Sequence, residues 1–172
     1  MNGGQITSET LSSTYSYGVY NVRTFNFNLG TITSIAKTMY SYGVYNSDTA
    51  SYVQSGGSVT STSSTGNTYG LYAYGYVNTV SGGTITATTT EAYDSHGIYI
   101  KKAEATVNLS GGEWKGKESG IYIPEGMEIN NSGTVEAGKV NIPENTHIGY
   151  KLEDEHIVNY IEPCEAVVSL TI

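Results

Sequence analysis

Residues 70–99 read GLYAYGYVNTVSGGTITATTTEAYDSHGIY, a stretch that opens and closes on the same tripeptide, Gly-(Leu/Ile)-Tyr, at a separation of 27 residues. Between the two copies lie two more apolar segments, YVNTV (76–80) and GGTIT (82–86), separated by Gly and Ser. Segments this short, with period-two alternation, β-branched residues and turn formers at both ends, predict strands.

Working outward, the tripeptide recurs at Gly18-Val19-Tyr20, Gly43-Val44-Tyr45, Gly70-Leu71-Tyr72, Gly97-Ile98-Tyr99 and Gly120-Ile121-Tyr122, at spacings of 25, 27, 27 and 23. A second series places a β-branched or aromatic residue two after a glycine: GGQIT from Gly3, GTIT from Gly30, GGSVT from Gly56, GGTIT from Gly82, GGEWK from Gly111 and GTVE from Gly133. A third, weaker series falls between them: FNFNL (25–29), SYVQ (51–54), YVNTV (76–80), ATVNL (105–109) and MEIN (127–130). A constant period in this range marks a repeat architecture. Nothing helical is present to cross over a flat parallel sheet. Winding the chain into a solenoid lets each strand pair in parallel with its equivalent one coil on, at ~4.8 Å. The expected fold is therefore all-β: a right-handed, single-stranded parallel β-helix of about five or six coils over residues 1–138, closed by a C-terminal β cap over 139–172 of the same domain.

Alternation assigns faces. In T-I-T the central residue points inward, which predicts an inner column of Ile6, Ile32, Val59, Ile85, Trp114 and Val135. In Y-G-V-Y the inner pair is expected to be Tyr17 and Val19, giving a second column of Val19, Val44, Leu71, Ile98 and Ile121. Asn21 and Asn46 share a register, which suits either a short buried ladder at a corner or two exposed turn residues. Tyr20, Tyr45, Tyr72, Tyr99 and Tyr122 should project outward as a row; rings stacking to shield a sheet account for it, with a ligand strip as the alternative. Thr7, Thr31, Thr33, Ser58, Thr60, Thr84 and Thr86 form an outward hydroxyl face, interrupted by Glu113, Lys115 and Glu136; ordinary strand propensity accounts for it, with an ice-binding surface as the alternative.

Composition narrows the partners. The chain has 172 residues, 21 Gly, 16 Tyr and a formal charge of −8, with no run of Lys or Arg to meet phosphates, so nucleic acid is excluded as a partner. Only Glu9, Arg23, Lys37, Asp48, Glu91 and Asp94 are charged before residue 100, leaving 18 of the 24 charges to the last 72 positions. That shift, with Pro143, Pro163 and the run Glu153-Asp154-Glu155, marks the capping segment, in which strands are expected at 156–161 and 166–172. Cys164 stands alone and is expected to be a buried, inert thiol. No apolar run is long enough for a membrane span or signal peptide. Met1 falls directly before a repeat element, so further β-helix coils are expected N-terminal to it in a longer parent chain.

Over residues 3–138 these motifs resemble the pectin-lyase-like right-handed parallel β-helices, in particular the GGTIT…YGIY coils of large bacterial surface and adhesin-like proteins. The resemblance implies an extracellular or cell-surface setting and a glycan or host surface ligand. It leaves function open, because that fold also hosts polysaccharide lyases and glycoside hydrolases. Those enzymes imply clustered carboxylates, for Ca²⁺ binding or for acid and base work. The nearest approach, SHGIYIKK (95–102), places His96 in the slot of Tyr17, Tyr42 and Tyr69, and Glu91 and Asp94 have Ser64 and Asn67 at the same slots one coil earlier. No catalytic residue, metal or cofactor is expected. Asn108 and Asn130 begin formal glycosylation sequons.

Overall fold

The computed structural model describes residues 1–90 and 93–165, and the expected strand at 166–172 lies outside the described residues. The first coils consist of β1 (Asn2–Thr10), β2 (Tyr15–Asn21), β3 (Thr24–Phe27), β4 (Leu29–Ala36), β5 (Tyr40–Asn46) and β6 (Ser51–Gln54). The same triplet continues as β7 (Ser58–Ser63), β8 (Thr68–Ala73), β9 (Val77–Val80), β10 (Thr84–Thr89), β11 (Ser95–Ile100) and β12 (Thr106–Leu109). The closing part holds β13 (Glu113–Gly116), β14 (Ser119–Tyr122), β15 (Ile129–Asn130), β16 (Val140–Asn141), β17 (Thr146–Glu153) and β18 (His156–Pro163).

From β1 to β15 every third strand joins the same sheet. One sheet runs β1-β4-β7-β10-β13-β18-β17, the second β2-β5-β8-β11-β14 and the third β3-β6-β9-β12-β16-β15. Pairing is parallel throughout except where β18 meets β13 and β17. The protein is thus an all-β solenoid of stacked parallel coils, as the repeat predicts.

Like residues stack on like. Ile6, Ile32, Val59, Ile85 and Trp114 lie in direct register along the first sheet. Val19, Val44, Leu71, Ile98 and Ile121 do so along the second. The central members are fully buried, and burial of each such side chain contributes about 1.5–3 kcal/mol. The third sheet adds Phe27, Tyr52, Val80, Val107 and Leu109 from its expected segments.

The repeat glycine has a steric cause. A Cβ on Gly43 would lie 2.4 Å from Cγ1 of Val59, and one on Gly70 would lie 2.4 Å from Cγ2 of Ile85. The glycine therefore points into the core against the facing inner column. It also drops out of the ladder, whose register steps from Tyr42↔Tyr69 to Val44↔Leu71. Glycine and the residue after it both face inward, so alternation breaks there and resumes one residue out of phase. Tyr17, Tyr42 and Tyr69 consequently pack beside Tyr20, Tyr45 and Tyr72 on the outer face of the sheet, Tyr42 and Tyr69 buried among the neighbouring rings, and the expectation that Tyr17 faces in is not met.

Two polar seams line the interior. At the corner between the first two sheets, Ser34 Oγ donates to Ser16 Oγ at 2.9 Å and Ser41 Oγ donates to the Ser34 carbonyl at 3.0 Å. At the next corner the asparagine ladder is real: Asn21 Nδ2 donates to Asn46 Oδ1 at 2.7 Å, and Asn46 Nδ2 to Asn78 Oδ1 at 2.9 Å. Asn46 and Asn78 are wholly buried. The third rung comes from the third sheet, because the slot after Asn46 in the second sheet is Ala73.

The stack closes earlier than the motifs predict. Val135 is 68 % exposed and does not extend the inner column; Trp114 instead meets Asn159 of the antiparallel β18. Asn159 Oδ1 accepts from the Ile121 amide at 3.0 Å, and its Nδ2 donates to the Gly149 carbonyl, which ties both sheets to the closing hairpin. β16 also inserts between β12 and β15, so the 127–130 segment is one strand removed from its expected neighbour.

Candidate functional site

The broken alternation at each repeat glycine places two aromatic positions per coil on the outer face of the second sheet. The outer row is the expected one. Tyr20, Tyr45, Tyr72, Tyr99 and Tyr122 stack with centroid separations of 5.0, 5.1, 5.3 and 4.7 Å and interplanar angles of 3°, 10°, 14° and 7°. The second row, whose first member Tyr17 would face inward under strict alternation, is Tyr17, Tyr42, Tyr69 and His96, spaced 5.1, 5.3 and 6.0 Å apart. Rings of the two rows meet edge to face, as in Tyr17–Tyr20 at 89° and Tyr42–Tyr45 at 79°. Tyr15 and Tyr40 stack at 5.5 Å and extend the patch toward the first corner.

This geometry settles how the aromatic surface presents itself. Within the row each interior ring has a neighbour on both faces, so the outward surface consists of ring edges and phenol hydroxyls. The stack stabilises the sheet, each aromatic pair contributing about 0.5–1.5 kcal/mol beyond area burial. Burial by neighbouring rings pushes the phenols of Tyr42 and Tyr72 well above the usual tyrosine range, and mutual repulsion between phenolates adds to it. These hydroxyls remain protonated donors at any ordinary pH.

His96 ends the second row. Its Nδ1 lies 2.8 Å from Ser119 Oγ, and its ring packs against Tyr69, Tyr99 and Tyr122. Burial lowers its pKa, against the opposing pull of Asp94 and Glu118. Its ladder partner is Tyr69, as the repeat register predicts. Asp94 is likewise level with Asn67, whose Nδ2 lies 3.4 Å from Asp94 Oδ2. Glu91 lies outside the described residues.

The hydroxyl face of the first sheet is also in register. Thr31, Ser58 and Thr84 form one column; Thr7, Thr33, Thr60 and Thr86 form the next. Glu113 and Lys115 continue these columns, whereas Glu136 belongs to no strand of that sheet and does not interrupt it.

Cys164 is exposed rather than buried, 3.8 Å from His147 Nδ1. Among the described residues no group of three or more His, Cys, Asp or Glu could hold a metal ion, and no helix is long and apolar enough to cross a membrane. Both sequon asparagines spend their amides internally: Asn108 Nδ2 donates to Thr79 Oγ1, and Asn130 Nδ2 to Asn141 Oδ1 and the Thr134 carbonyl. No protein-family model, curated protein or solved structure matches the chain.

Proposed function

We propose that this chain is a rigid structural or adhesive β-solenoid segment of a larger secreted or cell-surface bacterial protein of the pectin-lyase-like kind, and that it meets carbohydrate along the Tyr20 to Tyr122 row. The observation that carries this reading is the row itself. Five stacked phenols, 4.7–5.3 Å apart on one continuous parallel sheet, offer a row of hydroxyl donors and ring edges. An extended glycan laid along the coil axis presents hydroxyls to such a line at short, regular intervals. The formal charge of −8 disfavours nucleic acid and anionic bilayers as alternatives.

The test separates hydroxyl recognition from stacking. Phenylalanine at Tyr20, Tyr45, Tyr72, Tyr99 and Tyr122 together removes every hydroxyl of the row while retaining its rings. On a glycan array the wild-type chain should give signals that this variant loses at an unchanged melting temperature. Equal signals from both would sink the reading.

A second reading, an ice-binding face, draws on the in-register Thr columns and on the absence of Glu136 from that sheet. Thermal hysteresis that disappears in Thr33→Lys, Thr60→Lys and Thr86→Lys variants would favour it.

A further inference from the structure

Beside the tyrosine patch, at the corner between the second and third sheets, three successive coils contribute to one cleft of about 290 Å³ lined by Asp48, Tyr74, Gly75, Tyr76, Lys102 and Glu104. Asp48 sits in the turn after β5, Tyr74 and Tyr76 in the turn after β8, and Lys102 and Glu104 in the turn after β11. The volume lies at the small end for ligand pockets, which run from about 300 to 1,000 Å³.

The cleft is pre-organised from beneath. Asn78 Nδ2 donates to the Gly75 carbonyl at 3.0 Å, and a Cβ at Gly75 would lie 2.2 Å from Asn46 Nδ2, so the asparagine ladder supports the Gly75 turn from behind. The turns are pinned to one another: Tyr74 N donates to Asn46 O, Lys101 N to Ala73 O and Thr106 N to Tyr76 O. A site held this way loses little entropy when a ligand enters.

Its groups divide into those already engaged and those free for a ligand. The Lys102 ammonium is bonded to Asp48 and lies 4.4 Å over the Tyr74 ring, which fixes all three. Tyr76 is 70 % exposed, and no ion pair or hydrogen bond engages the Glu104 carboxylate among the described residues. What remains is an aromatic platform flanked by a strong acceptor and by an ammonium with donors to spare. Asp48 and Glu104 against Lys102 leave the lining net negative, in a chain that is itself acidic, so uronates and phosphates are disfavoured.

We propose that this corner cleft binds one uncharged hexopyranose, its C–H face on Tyr76 and its hydroxyls shared between Glu104 and Lys102. The proposal rests on the carbohydrate reading of the neighbouring row, since Tyr74 follows Tyr72 by two residues.

A monosaccharide is too short to use the row, so methyl glycosides of glucose, galactose and mannose probe the cleft alone. Titration of the ¹⁵N-labelled chain with each should give saturable amide shifts at Tyr76, Lys102 and Glu104 for at least one of them. Tyr76→Ala and Glu104→Gln should each weaken that binding by about tenfold, equivalent to about 1.4 kcal/mol. The five-phenylalanine row variant should bind like wild type. Both point variants alter exposed side chains, and an unchanged amide spectrum away from the cleft verifies their fold. Absence of saturable shifts with all three glycosides overturns the proposal, as does wild-type affinity in both point variants, or equal binding of methyl glucuronide. Loss of array binding in the row variant with none of these monosaccharide effects would leave the row reading standing and the cleft refuted.

Discussion

The body of the solenoid and its closing end are built on opposite rules. In the body, each strand sees a near copy of itself above and below, and the interior is held by stacked aliphatics, serines and asparagines. At the closing end, β18 runs antiparallel to β13, and the surface is knit by charges: Lys115 pairs with Glu153 at 2.7 Å, and Lys151 bridges Glu113 and Glu153. Repetition gives strength through identical partners but has no internal means of stopping. Charge and a reversed strand direction supply the stop, because an antiparallel hairpin whose outer strand carries Lys151 and Glu153 offers no template for a further parallel coil.

The contrast can be broken most severely in the body. Ile85→Asp places a carboxylate unpaired between coils, at a cost of several kcal/mol, and should abolish the cooperative melt seen by circular dichroism. Val135→Asp, in the corresponding position of the last such motif, should leave the melt unchanged. Next in size, Asn46→Leu removes the middle rung of the ladder and leaves the side-chain oxygen of Asn78 without its donor, while the Asn21 amide keeps the Ser51 carbonyl. With about 1–3 kcal/mol for an unsatisfied buried group, chemical denaturation should show a clear loss of stability.

A smaller effect sharpens the boundary itself. The folded state holds the His96 pKa below its unfolded value of about 6.5, so the unfolded chain binds the extra proton first and stability falls as pH drops below that value. His96→Tyr restores the repeat residue between Tyr69 and Ser119, and should flatten this part of the acid decline when melting is followed from neutral pH downward. The smallest change belongs to the cap. Lys151→Met removes an exposed ion-pair partner of Glu113 and Glu153, and should shift the melting temperature slightly at low salt and not at all at high salt.

The repeat made the body legible before any coordinates. Residues such as Ile32, Val59 and Ile85 recur at a fixed interval, and parallel in-register pairing is the arrangement that buries them all. Tyr17 defied the alternation rule because Gly18 has no side chain to keep count: two consecutive residues turn inward, and the phase slips. The same slip hid half of the aromatic patch. The buried serines were visible in the recurring Ser16 and Ser41 ahead of Tyr-Gly, but a hydroxyl before a strand reads equally well as a turn. GTVE at Gly133 had the composition of a coil strand and lost its place to β18, a competition between distant segments that no local pattern encodes. The corner cleft draws its residues from three turns that vary freely between coils, which is why Glu104 carried no signal in the repeat and Tyr76 entered it only as the first residue of YVNTV.

The parallel phenol stack has an optical consequence. Five identical chromophores, each 4.7–5.3 Å from the next and with its ring plane within 14° of its neighbour's, are close enough for their transition dipoles to couple. Their near-ultraviolet circular dichroism is therefore a collective band that depends on coil-to-coil alignment. Its disappearance would report the unstacking of coils separately from the loss of strand.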